Sequence, residues 1–262
     1  MVAAPSTVHT NAARACVLVR LLLGRSLFLL LLALATGMQP AAAEARNSPN
    51  RIVSMNPCID AILMEVARPQ QIAAISHYSQ DASATSINLV LAKRFRTTAG
   101  TAEEVIALNP DLVIAGAHVA LPTVHALQRM GIALLQTRVA DSVQQSRAQI
   151  MQVADAVGAP ARGRQLLARI DAALARATPA PTSTPKATPR LQPTPARAEP
   201  ISAVIWQGEG MVPGAGTLAD ELLRRTGFRN MSSEYGLQQW DLLPLEQLLA
   251  HPPQVLLTVH TS

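Results

Sequence analysis

Residues 103–114 read EEVIALNPDLVI, and residues 246–257 read EQLLAHPPQVLL. Aligned without a gap, Glu103 falls on Glu246, Ala107 on Ala250 and Pro110 on Pro253. The apolar run Leu112-Val113-Ile114 falls on Val255-Leu256-Leu257. Each copy predicts a short helix that a proline ends, since the residue before proline is pushed out of the helical region. A short apolar run directly after such a stop reads as a buried strand. A fainter pair supports the duplication in the same order. PCIDAILMEV (57–66) and TLADELLRRT (217–226) are both helical in pattern, with Asp60 against Asp220. Two lobes of similar build, each with a Glu at the same place, fit a molecule that closes on something and presents two matched acids elsewhere.

Working outward, Arg51–Ser54, Ile72–Ile75, Leu112–Ala115 and Ala133–Gln136 read as short buried strands. Helical stretches at 58–66, 102–108 and 119–130 separate them. Strands alternating with helices predict a parallel sheet covered on both faces. Ser142–Val157 reads as a further amphipathic helix ended by Gly158, and Pro160 opens another that runs to Ala177. Its apolar stripe is Leu166, Leu167, Ile170, Ala173 and Leu174, and at 1.5 Å per residue it would span about 27 Å, enough to bridge two lobes. Residues 178–200 are rich in Pro, Ala and Thr without periodicity and read as an extended linker or insertion. Beyond it, Ala203–Trp206 resumes as a strand, 217–226 and 245–250 as helices, and Val255–Leu257 as a strand. With two clear strands against four, the second lobe is expected to be incomplete. The domain layout is therefore a first lobe over 51–158, a connecting helix over 159–177, the Pro-rich stretch over 178–200 and a second lobe over 201–262.

The first 43 residues read as a cleavable signal peptide. Arg14, Arg20 and Arg25 precede the apolar run SLFLLLLALA (26–35), and Ala41-Ala42-Ala43 supplies small residues before Glu44. The apolar stretch is short of the roughly 20 residues that a spanning helix needs. Three of the 22 Lys and Arg and none of the 17 acids lie before Glu44, so the remainder carries a net charge near +2 rather than +5. Nothing in it resembles a nucleic-acid footprint, which needs basic side chains clustered on one face. Cys16 leaves with the signal, so Cys58 has no intramolecular partner. Inside the first helix, Cys58 reads as a small buried apolar residue.

RIVSMNPCIDAILMEV (51–66), GTAEEVIALNPDLVIAG (100–116) and the phrase from Trp240 to Glu246 resemble the periplasmic solute-binding proteins of the iron-siderophore and cobalamin ABC importers. The resemblance covers about 51–257, with the Pro-rich stretch as a departure. It implies two Rossmann-like α/β lobes joined by one long rigid helix, here 160–177, with a ligand cleft between them. It also implies a monomer that captures a metal chelate, cobalamin or a ferric siderophore, and delivers it to a membrane permease without doing chemistry on it. Members of that family use one acid per lobe to pair with permease arginines, and Glu103 and Glu246 match those positions. Read alone, each is an ordinary helix-start acid favoured by the positive end of the helix.

Open α/β sheets bind ligands beyond the carboxyl ends of their strands. That rule makes Asn56, His77, Tyr78, His118, Trp206 and Gln207 cleft candidates. The family's aromatic ligand contacts fall at Tyr78 and Trp240. An aromatic content of 3% limits the cleft to one or two stacking faces. His77 and His118 are candidates for haem iron or a metal ion, although a bare metal site wants three or four converging ligands. No resident cofactor is implied. An α/β enzyme is the competing class, and against it stand the absence of a G-x-S-x-G elbow, of a dinucleotide fingerprint and of an acid–base pair. The Gly-rich stretches 208–210 and 213–216 fit neither phosphate-binding pattern and read as turns framing the cleft.

Overall fold

The computed structural model describes residues 48–179 and 199–258. Residues 1–47, where the signal-peptide expectation falls, residues 180–198 of the Pro-rich stretch and residues 259–262 lie outside them. Five parallel strands build the first sheet: β1 (Ile52–Ser54), β2 (Ile72–Ser76), β3 (Thr97–Thr98), β4 (Leu112–Gly116) and β5 (Ala133–Thr137), in the order β3-β2-β1-β4-β5. Around them lie α1 (Pro57–Val66), α2 (Leu89–Ala92), α3 (Ala102–Ala107), α4 (Leu121–Arg129) and α5 (Val143–Ala156). Two apolar layers cover the sheet, one with Ile52, Ile59, Leu63, Ile75, Ile114 and Val153, the other with Val53, Val105, Val113 and Leu127. Alternate residues of β1 and β4 enter opposite layers, as a strand buried on both faces requires.

Local chemistry sets the helix ends. Asn56 caps α1, its Oδ1 accepting from Cys58 N at 2.8 Å, with Pro57 at the first helical position. Thr101, Ser142 and Thr217 cap their helices in the same way. After α3, Asn109 takes a φ of +47° immediately before Pro110, and this closes the helix where the proline predicts it. Helix α6 runs over Pro160–Ala177, the predicted bounds, and packs on α1 and α5. At its far end Pro179 lies against Gly227 of the second lobe.

The second lobe has its own parallel sheet of β6 (Ile201–Trp206), β8 (Phe228–Asn230) and β10 (Val255–Thr258), in the order β10-β6-β8. Helix α7 (Leu218–Arg225) precedes β8, and α8 (Leu245–Ala250) precedes β10. An antiparallel pair, β7 (Met211–Pro213) with β9 (Trp240–Leu242), completes it. The duplication therefore exists in three dimensions. The order β8-β6-β10 repeats β2-β1-β4, with the matched Asp helices α1 and α7 before the outer strand on one side and the matched Glu helices α3 and α8 before the other. Strands corresponding to β3 and β5 are absent from the second sheet among the described residues. Sequence reading expects two strands in this lobe, and its described residues hold five. The extra three are three residues long, and FRN and WDL carry too much polar character to read as apolar runs.

Candidate functional site

Parallel strands end together, so the loops after β1, β4 and β5 gather at one edge of the first sheet. There, Asn56 opens α1, Gly116-Ala117-His118 leaves β4, and Thr137-Arg138-Val139-Ala140 leaves β5. All of these line a cavity of about 440 Å3. Helix α5 adds Ser146, Gln149 and Ile150, and α1 adds Cys58, Ala61 and Ile62. The opposing wall comes from the second lobe, with Leu218, Ala219 and Leu222 of α7 and Trp240 of β9. The cavity is thus a cleft between the lobes, mostly apolar, with a few polar groups at its edge, the usual build of a small-molecule site. Gly116 has a steric reason to be glycine: a Cβ there would stand 2.8 Å from Asn56 Nδ2.

Of the residues expected in the cleft, Asn56, His118 and Trp240 line the cavity, and His77, Tyr78, Trp206 and Gln207 do not. His77 and Tyr78 stand exposed after β2, their rings 4.0 Å apart, with His77 Nδ1 3.2 Å from Thr98 O. Trp206 is half-buried and packs on Val204, Val212, Leu243 and Leu248, the core of its own lobe. Gln207 sits in the turn to β7, donating its backbone N–H to Met211 O at 2.9 Å. The turn at Gly208–Gly210 likewise joins β6 to β7 rather than framing the cavity.

Cys58 corrects a sequence expectation. It is exposed, facing the cavity rather than the core. Helix α1 buries Ile59, Leu63 and Val66 on one stripe, and the next stripe, Cys58, Ala61 and Ile62, faces the cleft. Its thiol is pushed up by burial and by the charge of Asp60. Sequence reasoning also missed Ile62, Arg138, Leu218 and Leu222. The available signal was the apolar character of α1 on more than one side, since such a helix is covered on both. No group of three or more His, Cys, Asp and Glu able to hold a metal ion occurs among the described residues.

One hydrogen bond ties the lobes beside the cavity. Glu221 Oε2 of α7 accepts from Val143 N at the start of α5 at 2.8 Å. That amide, followed by the Arg225 guanidinium, holds the Glu221 carboxyl below the usual range. Glu103 and Glu246 stand exposed in the first turns of α3 and α8, with no hydrogen-bond or ion-pair partner among the described residues. Neighbouring Glu104 differs, because its Oε2 accepts from Thr98 Oγ1 at 2.9 Å and Ala99 N at 2.8 Å. Both helices run back along parallel sheets, so their N-termini, and the two glutamates, lie toward the strand ends that border the cleft.

A family model for periplasmic binding proteins matches residues 52–261. The chain belongs to the periplasmic binding protein family. This periplasmic binding protein is thus one of a class of solute-binding transport proteins that serve ABC importers. Its fold is similar to that of the periplasmic heme-binding protein RhuT from Roseiflexus sp. RS-1 in apo form, at 22% identity and TM-score 0.62 over 81% of this chain and 77% of that one. The periplasmic heme-binding protein HutB of Vibrio cholerae gives 18% and 0.61 over 81% and 77%. The periplasmic vitamin B12 binding protein BtuF of Vibrio cholerae gives 17% and 0.58 over the same shares. No curated protein matches the sequence. Among the described residues no helix is long and apolar enough to cross a membrane.

Proposed function

We propose that this periplasmic binding protein captures a flat metal chelate of the tetrapyrrole class, a corrinoid or haem, and hands it to an ABC importer. The reading rests on the cavity of about 440 Å3 whose walls come from both lobes. Its apolar sides, one exposed indole at Trp240 and a single charged lining residue, Arg138, suit a large ring with few charges. A ferric siderophore of the catecholate type carries several negative charges and needs several cations around it, so the tetrapyrrole class is preferred. The names of similar folds point the same way: heme binding for RhuT and HutB, vitamin B12 binding for BtuF.

Within this class one observation favours haem. His118 lines the cavity and offers an imidazole to an axial position of iron, and no second histidine accompanies it. His77, on a different loop, has no part in this reading. Delivery uses Glu103 and Glu246, exposed at matched positions and without hydrogen-bond or ion-pair partners among the described residues, as docking points for permease arginines. The protein acts as a monomer, exported through cleavage of residues 1–43, with lobes over 51–158 and 201–262 and a connecting helix over 159–177.

Calorimetric titration with haemin and cyanocobalamin tests the reading. A saturable one-to-one complex with at least one of them is expected. Trp240→Ala removes the stacking face and weakens binding by about tenfold, the scale of an aromatic contact with its buried area. Absence of binding to every tetrapyrrole, or an unchanged affinity in Trp240→Ala, contradicts it.

A further inference from the structure

The cleft cavity does not stand alone. A hollow of about 630 Å3, more open and more polar than the cavity, shares Arg138, Val139, Ala140 and Gln149 with it. Gln136, Gln145 and Gln152 continue the hollow beyond that shared wall. Gln145, Gln149 and Gln152 lie at i, i+4 and i+7 of α5, so their carboxamides form a row along one helix face. Two of them brace the shared segment. Gln149 Nε2 donates to Arg138 O at 2.7 Å, and Gln145 Oε1 accepts from Asp141 N at 2.8 Å. Residues 138 and 141 are thereby tied to α5, and both glutamines line the hollow.

Arg138 stands just past the carboxyl end of β5, exposed, and its guanidinium has no hydrogen-bond or ion-pair partner among the described residues. Asp141, the one acid at the hollow, is not paired with it. A cation on a braced segment, with an apolar cavity on one side and a row of amides on the other, matches a ligand with an apolar body and anionic arms on its rim. We infer that Arg138 is a specificity-determining residue that pairs with a rim carboxylate of the ligand, whose arm then lies along the glutamine row. The ligand is thus an acid-bearing macrocycle of the porphyrin type rather than a neutral one. This inference rests on the tetrapyrrole reading of the cleft. The planar guanidinium fork fits a carboxylate in two parallel hydrogen bonds. Apolar walls strengthen the pair relative to a free surface pair, and its partial exposure leaves it sensitive to salt.

Protoporphyrin IX and its dimethyl ester, titrated into protein beginning at Glu44, isolate the carboxylates without iron and so without any contribution from His118. In the wild type, esterification weakens binding by about tenfold, the value of one charge-assisted hydrogen bond. Arg138→Ala weakens the free acid by a similar factor and leaves the ester unchanged, Arg138→Lys falls between, and added salt narrows the gap. Equal binding of acid and ester by the wild type, or equal weakening of both by Arg138→Ala, overturns the inference. Binding of cyanocobalamin without either porphyrin overturns it and leaves the cleft reading standing. Failure of every tetrapyrrole removes both.

Discussion

Asp60 and Asp220 occupy matched helices, and each reaches the carboxyl end of the next strand in its lobe. Asp60 Oδ2 accepts from Ser76 N at 2.9 Å and Ser79 Oγ at 2.6 Å. Asp220 Oδ1 accepts from Asn230 Nδ2 at 3.1 Å, and its Oδ2 pairs with Arg224 at 2.8 Å. The difference lies in compensation. Asp220 has a cation, whereas Asp60 has none and its Oδ1 is buried without a partner. Burial pushes the Asp60 carboxyl up to about 6, against the Ser54 and Ser79 hydroxyls and the Ser76 amide, which favour the charged form. A carboxyl near 6 in the fold and near 3.8 in the unfolded chain holds its proton longer in the fold. Its contribution is therefore lost as pH rises from about 4 to about 6, by roughly 3 kcal/mol at most. In Asp60→Asn, the denaturation free energy should lack this fall, and wild type minus variant across pH 4–7 measures it. A difference flat with pH would show that Asp60 is ionised throughout. The repeat made the aspartate pair legible. Its role was not, because Ser76 and Asn230 become neighbours only when the sheets form.

Elements carried the sequence reading furthest where a helix has one apolar face and a marked end. Helix α6 runs within its predicted bounds because Pro160 opens it, and the Asn109-Pro110 stop placed the end of α3 within two residues. Where an element has two covered faces the pattern is silent about which is which. Cys58 of α1 therefore reads as core, and the helical pattern of 217–226 carries no sign that Leu218 and Leu222 line a cavity. Arg138 was invisible for a different reason, since its hollow arises from packing the end of β5 against α5. At Gly163 the packing itself makes a prediction. A Cβ there would lie 2.6 Å from Ala154 Cβ and 3.1 Å from Met151 Sδ, so α5 and α6 touch through glycine. Gly163→Ala gains about 1 kcal/mol of helix propensity but forces the helices apart, at about 1–3 kcal/mol. A net destabilisation in urea titration is expected, and a stabilised variant would mean that the helices are free to separate. The exposed ion pairs Arg147–Asp171, between α5 and α6, and Arg169–Glu65, between α6 and α1, add little to the packing of α6.

At the scale of the molecule, two separate parallel sheets repeat one strand order and set a cavity between them. The sequence duplication predicts two lobes of similar build, and Glu103 and Glu246 stand exposed in the first turns of α3 and α8. Glu103→Lys with Glu246→Lys should leave ligand affinity unchanged while abolishing stimulation of the importer's ATPase; unaltered stimulation would remove the docking role. The lobes also share the Glu221–Val143 hydrogen bond, which is stronger when the carboxylate is ionised. The extra stability of its charged form is present at neutral pH and is lost as pH falls through the lowered value.

The claim beneath all of this is that ligand lies between the lobes, and Cys58 reports on that space. In protein beginning at Glu44 it is the only thiol, and it faces the cavity. The rate of its alkylation by N-ethylmaleimide, measured with increasing haemin or cyanocobalamin, is the most direct test. Protection that follows ligand occupancy is the expected result, and an unchanged rate at saturating ligand would place the binding site elsewhere.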